Sequence, residues 1–173
     1  ELKGRKVGLL GFGRIAQRLT KLLQAFEANV LVYDPYVESQ EIKKAHAEPT
    51  DFAALLKETD VLVPLLPGIE EVHHLLDAES LARLRDGALI VNVSRGWVFD
   101  QTALERELSE GRLFAALDVF HPEPLPSDSP LRNMENVVLT SHMAGPTVGS
   151  ACRHVRQAIE QLIHWFESGQ KRR

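Results

Sequence analysis

One cysteine, Cys152, in 173 residues rules out an internal disulfide, and no Cys/His cluster has zinc-finger spacing. Neither staples nor a structural metal are therefore expected to hold this chain together. Aromatic residues make up only 6%, and no apolar run approaches the roughly 18 residues that a membrane span needs. The opening Glu1-Leu2-Lys3-Gly4-Arg5-Lys6 has no signal-peptide pattern. A basic excess is missing as well. Twenty Lys and Arg stand against 24 Asp and Glu, a net charge of −4, which offers no field for nucleic acid or an anionic membrane. A reducing, cytoplasmic setting follows as the expectation. With 44% apolar and 25% charged residues, the chain can bury one good core, and residues 1–173 are read as one compact domain.

What is present is a recurring alternation of short apolar runs and helical patterns. Val7-Gly8-Leu9-Leu10 reads as a strand, followed by a tight turn and by Ile15, Leu19, Leu22 and Leu23 at helical spacing. Asn29-Val30-Leu31-Val32-Tyr33 is a second strand that stops at Asp34-Pro35, because proline lacks a ladder donor. Thr50 or Asp51 can cap a short helix, Val61 to Leu65 reads as a buried strand, and Asp77 or Ala78 starts a helix closed near Gly87. Ala88 to Val93, Phe114 to Val119 and Val137 to Thr140 are further strands. Asp100 is the expected cap of a helix that ends at Gly111. Prolines 122, 124, 126 and 130 mark an extended loop. A last helix from about Gly149 to Phe166 carries Val155, Ile159, Leu162, Ile163 and Phe166 on one face. Short buried strands alternating with helices imply a doubly wound parallel α/β sheet of Rossmann type, in three α/β/α layers. Ligands of such sheets sit beyond the carboxyl ends of the strands.

Gly11-Phe12-Gly13-Arg14-Ile15-Ala16 is a G-x-G-x-x-A turn between the first strand and the first helix, where bare backbone lets a pyrophosphate approach a helix N-terminus. Asp34 follows Gly13 by 21 residues, close to the roughly 20-residue interval at which a carboxylate grips an adenosine ribose. That carboxylate repels a 2′-phosphate, and Pro35 and Tyr36 supply no cation. NAD, preferred over NADP, is the expected cofactor.

Three later strand ends carry chemistry: Asn92-Val93-Ser94-Arg95-Gly96, Asp118-Val119-Phe120-His121-Pro122-Glu123-Pro124 and Ser141-His142-Met143-Ala144-Gly145. Together with the glycine turn and the acidic strand end, in this order, they make nearly the whole chain resemble the D-isomer-specific 2-hydroxyacid dehydrogenases. The resemblance implies an NAD-dependent oxidoreductase that interconverts a 2-oxo acid and a D-2-hydroxy acid. By it, Arg95 binds the substrate carboxylate and carbonyl, His142 donates the proton, and Glu123 is the carboxylate partner of His142. It further implies that Arg14 and Ile15 offer backbone amides to the pyrophosphate. Asp118 and the backbone around Val93 and Ser94 contact the nicotinamide end, with His142 and Gly145 among the cofactor contacts. The chemistry agrees independently. Hydride reduction of a ketone leaves an alkoxide that an imidazolium can protonate, and a planar guanidinium holds a carboxylate with two parallel hydrogen bonds.

In this family a separate substrate lobe closes over the cofactor, and no sequence for it is visible here. Glu1-Leu2-Lys3-Gly4 reads as a junction, and the chain by itself is expected to bind NAD but turn over little. Relatives commonly dimerise through the cofactor domain, so a homodimer is expected. Two other functions remain open: an NAD-sensing corepressor-type binding protein of the same fold, and an S-adenosylmethionine methyltransferase, which has no need of Arg95, Glu123 and His142. Trp97 stands where many relatives have a smaller residue, either narrowing the substrate site or packing against a neighbouring lobe. The side chains of His73 and His74 are expected to point apart on either a strand or a helix, which argues against a metal site there. No metal ligand is assigned anywhere.

Overall fold

A computed structural model describes residues 1–145 and 147–168. Two compact units divide the chain at Ser141. The first contains β1 (Lys6–Leu10), α1 (Arg14–Ala25), β2 (Asn29–Tyr33), α2 (Ser39–Lys44), β3 (Glu48–Pro49), α3 (Phe52–Glu58), β4 (Val61–Pro64), α4 (Ala78–Ala82), β5 (Leu89–Asn92), α5 (Gln101–Ser109), β6 (Phe114–Leu117) and β7 (Val137–Leu139). All seven strands are parallel, in the order β3-β2-β1-β4-β5-β6-β7. The order reverses between β1 and β4, the topological switch at which open α/β sheets bind ligands.

Side chains alternate along each strand between two apolar cores, as the two-residue period of a strand demands. Val7 and Leu9 of β1 and Val30 and Val32 of β2 pack with Ala16 and Leu23 of α1 and Ile42 of α2. Leu10, Leu31, Leu62 and Ile90 face the other way, onto Leu55 and Leu56 of α3, Leu81 of α4 and Leu104 and Leu108 of α5. Helices thus pack on both faces of the sheet, the three-layer doubly wound architecture expected from the sequence, while Phe114 of β6 and Val138 of β7 stay exposed at the far side of the α1 face.

Helix starts follow local chemistry. Asp51, Asp77 and Asp100 cap α3, α4 and α5 by accepting from Ala54 N at 2.8 Å, Ser80 N at 2.8 Å and Ala103 N at 3.0 Å. At the opposite edge from the strand ends, Arg112 donates to Glu107 through Nε at 2.5 Å and to the carbonyls of Leu84 and Leu81 at 2.6 Å each. Glu107 is 4% exposed, so this ion pair joins α4, α5 and the start of β6 in the interior.

The second unit begins at His142 and holds α6 (Val148–Glu167). Thr147 and Ser150 form a reciprocal capping box, with Ser150 N donating to Thr147 Oγ1 at 3.0 Å and Thr147 N to Ser150 Oγ at 2.8 Å. Val155, Ile159, Leu162, Ile163 and Phe166 are exposed on this helix. Among the described residues, no helix is long and apolar enough to cross a membrane.

Two elements were not expected from the sequence. α2 is a Glu/Lys-rich hexamer with one buried side chain, Ile42, and β3 is two residues long and contains Pro49, which is tolerated because β3 is an edge strand. The reading of His73 and His74 is corrected. Their rings lie 4.0 Å apart with a 30° interplanar angle, because His74 has a left-handed backbone, φ 51°, and neither the strand nor the helix period applies. No cluster of metal-binding side chains occurs among the described residues.

Candidate functional site

Strand register brings the carboxyl ends level. Leu10 is paired with Tyr33 and with Pro64, Asn92 with Leu117, and Leu117 with Leu139. The residues that follow these ends, Gly11, Asp34, Val93, Asp118 and Thr140, therefore emerge along one edge of the sheet.

At the β1 end, Gly11 has φ +96°, and a Cβ there would stand 3.0 Å from the Leu65 carbonyl oxygen. Glycine is required by both the backbone and the close approach of β4. Gly13 is different: a Cβ there would meet nothing within 4 Å, so its bareness keeps open the space in front of α1. That helix begins with no side-chain cap, unlike α3, α4 and α5, which leaves the amides of its first turn, those of Arg14 and Ile15 included, to an incoming anion. Ala16 is fully buried and lets α1 lie close to the sheet. Asp34 is tied to this turn directly. Its Oδ2 accepts from Phe12 N at 2.7 Å and its Oδ1 from Tyr36 N at 2.9 Å. A half-buried carboxylate held by two amides beside an open, uncapped helix start fits a dinucleotide whose ribose hydroxyls and pyrophosphate need those two features.

At the β5 end, Asn92 is 1% exposed and organises the loop. Its Oδ1 accepts from Ser94 N and Ser94 Oγ at 3.0 and 2.9 Å, and its Nδ2 donates to Arg95 O at 3.0 Å. Ser94 is buried, Val93 and Arg95 are exposed, and Arg95 Nη1 donates to Ser94 O at 2.6 Å. Gly96 is pressed onto the β6 end, where an added Cβ would lie 2.0 Å from the carbonyl carbon of Phe120. The loop bearing Arg95 and the loop bearing Asp118 are thereby packed backbone against backbone. Asp118 is buried at 3% exposure, and its Oδ1 accepts from Thr140 Oγ1 at 2.5 Å.

Glu123 lies exposed in the proline-rich loop, with cis peptide bonds at His121-Pro122 and Glu123-Pro124. His142 and Gly145 belong to the second unit. His142 is exposed with a left-handed backbone, φ 54°, a conformation in which histidine is enriched among non-glycine residues. The structure thus gathers Gly11, Gly13, Arg14, Ile15 and Asp34 at the β1 and β2 ends, and Val93, Ser94, Arg95 and Asp118 at the β5 and β6 ends.

Asn92 and Thr140 were not among the site residues anticipated from sequence, although each orders one that was. Asn92 carried a usable signal: an amide side chain at the end of an otherwise apolar strand has to be hydrogen-bonded.

The chain is 38% identical over 167 residues to a glyoxylate reductase of Thermofilum pendens, covering 94% of this chain and 49% of that protein. It is 36% identical to a hydroxypyruvate reductase of Thermotoga maritima, again over 94% of this chain and 53% of the relative. It superposes with a TM-score of 0.84 and 26% identity on a D-isomer specific 2-hydroxyacid dehydrogenase of Lactobacillus delbrueckii ssp. bulgaricus in its NAD-complexed form, covering 97% of this chain and 55% of that one. The chain therefore spans about half the length of the relatives it matches. Residues 1–144 match the family of the D-isomer specific 2-hydroxyacid dehydrogenase NAD binding domain, and the chain belongs to that family.

Proposed function

We propose that this protein interconverts a 2-oxo acid and a D-2-hydroxy acid with NAD as its redox partner. The reading rests on one observation: the glycine turn bound to Asp34 and the Asn92-organised Arg95 loop beside Asp118 lie along one edge of the sheet. When bound, the nicotinamide supplies or accepts the hydride at the substrate C2. The chain's own residues do the rest. Arg95 holds the substrate carboxylate in a bidentate grip and polarises the adjoining carbonyl, which fixes C2 for attack. His142, as the imidazolium, delivers a proton to the oxygen that becomes the hydroxyl, and takes it back in the oxidative direction. Glu123 stabilises the charged imidazole. Asp118, ordered by Thr140, and the backbone of Val93 and Ser94 orient the carboxamide end of the cofactor, with His142 and Gly145 adding contacts.

NAD is favoured over NADP because a ribose 2′-phosphate would meet the Asp34 carboxylate. The protein acts as a homodimer: Ile15 and Leu22 of α1 and Val93 of the β5 loop stay exposed at 70%, 61% and 42% along an apolar groove on the α1 face of the sheet, a surface suited to a second copy. A single exposed cysteine suits a reducing, cytoplasmic setting.

The test is a pair of substitutions in the complete gene product. His142→Asn is expected to lower kcat by about 10²–10⁴-fold, far more than it weakens NADH binding, and Arg95→Ala to raise KM for the 2-oxo acid. Equal losses of NADH binding and turnover in His142→Asn would make the histidine structural and overturn the assignment.

A further inference from the structure

Gly68 follows β4 in the loop that leads to α4, and it has no sequence signature that marks it as part of a site. A Cβ placed on it would lie 3.0 Å from Arg95 Nε, 3.7 Å from Arg95 Cδ and 3.3 Å from Trp97 Cζ2. The guanidinium stem of Arg95 and the rim of the Trp97 indole therefore occupy the space that any larger residue at 68 would fill. Trp97 is held in turn. Its carbonyl accepts from His74 N at 2.8 Å, the next carbonyl, that of Val98, accepts from Leu76 N at 2.9 Å, and its ring meets His121 edge-on at 6.3 Å, interplanar angle 88°. His121 meets His73 in the same way at 6.0 Å. Half-buried Trp97 is thus braced by two other loops, whereas Arg95 itself is exposed and would otherwise sample many rotamers.

We infer that Gly68 and Trp97 are positioning residues for Arg95, forming a slot that aims its guanidinium. This rests on the reading of Arg95 as the group that binds the substrate carboxylate. A flexible arginine loses rotamer freedom when it grips an anion, and a slot that holds its Nε in advance removes part of that cost. A methyl group at 68 would push Arg95 Nε by a few tenths of an ångström, and a misplacement of about 1 Å in such a clamp can cost about 10²-fold in efficiency. Whatever else Trp97 contacts in the complete protein, it already packs inside this unit against the loop that carries Gly68.

The experiment uses the complete gene product and the best substrate from a panel of glyoxylate, hydroxypyruvate, pyruvate and phenylpyruvate. Gly68→Ala is expected to raise KM for the 2-oxo acid by about tenfold or more, with the NADH Kd changed by less than about twofold. In an Arg95→Lys background, where Nε is absent, Gly68→Ala should add less than about twofold. Trp97→Leu should raise KM as Gly68→Ala does, and Trp97→Phe should retain most of the wild-type value, which supplies a second route if Gly68→Ala fails to fold. An unchanged KM in Gly68→Ala and Trp97→Leu, or a Gly68→Ala effect undiminished in the Arg95→Lys background, would overturn the inference while leaving Arg95 as the anchor. An Arg95→Lys protein with wild-type KM, or no turnover of the panel by the parent protein, would overturn the anchor itself and the inference with it.

Discussion

The backbone amide of Phe12 donates to Oδ2 of Asp34 at 2.7 Å, across 22 residues of sequence. The carboxylate that ends β2 is thus part of the glycine turn that ends β1. The same side chain that is proposed to read the ribose also holds the loop proposed to receive the pyrophosphate. Replacing Asp34 by Ala should consequently do two things. NADH affinity falls by about tenfold to a hundredfold, the worth of a charge-assisted hydrogen bond, and the preference for NADH over NADPH narrows. Titration of both cofactors followed by nicotinamide fluorescence measures this, and an unchanged NADH:NADPH ratio would remove Asp34 from cofactor selection.

Gly96→Ala should damage the site from outside it. A methyl group 2.0 Å from the Phe120 carbonyl carbon meets backbone on a buried β6 loop and cannot be relieved by a rotamer change. A loss of about 1–3 kcal/mol in folding stability is expected, together with a raised KM for the 2-oxo acid, because the Arg95 and Asp118 loops move apart. Urea unfolding and steady-state kinetics report the two effects separately. Full stability and unaltered KM would show that the loops are not coupled at Gly96.

Arg112→Ala should be among the most destabilising single changes away from the site. It removes the nearer cation from Glu107, 4% exposed, leaving Arg106 Nη2 at 3.5 Å from Glu107 Oε1, and it leaves the carbonyls of Leu81 and Leu84 without their guanidinium partner. Breaking a fully buried pair from one side costs about 3–5 kcal/mol, and the partial exposure of Arg112 and the remaining Arg106 contact place this loss at or below the lower end of that range. Replacing Arg112 and Glu107 together by Met and Leu should recover much of that loss. A double variant as unstable as the single one would contradict the explanation.

Asp77 links stability to pH. Its hydrogen bonds from the backbone and side chain of Ser80 hold its carboxyl below the ordinary value of 3.8. The charged form is therefore favoured in the folded state, so the contribution is present above the unfolded-state pKa and is lost as pH falls through the folded value. Asn caps helices about as well as Asp. The stability difference between wild type and Asp77→Asn should accordingly shrink on acidification from about pH 5 to pH 3. A difference that stayed constant in urea titrations over that interval would show that the charge of Asp77 contributes nothing.

The parts of this molecule that could be read from its sequence are those specified locally. The G-x-G turn, the 21-residue interval to Asp34, the aspartate caps of α3 to α5 and the period-two apolar strands all depend on neighbours or on fixed spacing. α2 escaped because a six-residue helix with a single buried side chain, Ile42, has too little periodicity to register. β3 escaped because two residues, one of them proline, look like loop. In the site, Arg95 and Asp118 were legible as polar residues at strand ends. What surrounds them was not. The roles of Gly68 beside Arg95, Gly96 against Phe120 and Thr140 on Asp118 come from contacts between segments far apart in sequence, which no local pattern encodes. His73 and His74 show the converse failure, a period-based expectation undone by one left-handed residue.

The most direct test of the central claim is to incubate the complete gene product with NADH and the 2-oxo acid panel, follow NADH oxidation, and determine the configuration of the product. The account predicts a D-2-hydroxy acid formed at the expense of NADH, with NADPH a poorer donor. An L product, or a folded and NADH-saturated protein that reduces none of the panel, would contradict it.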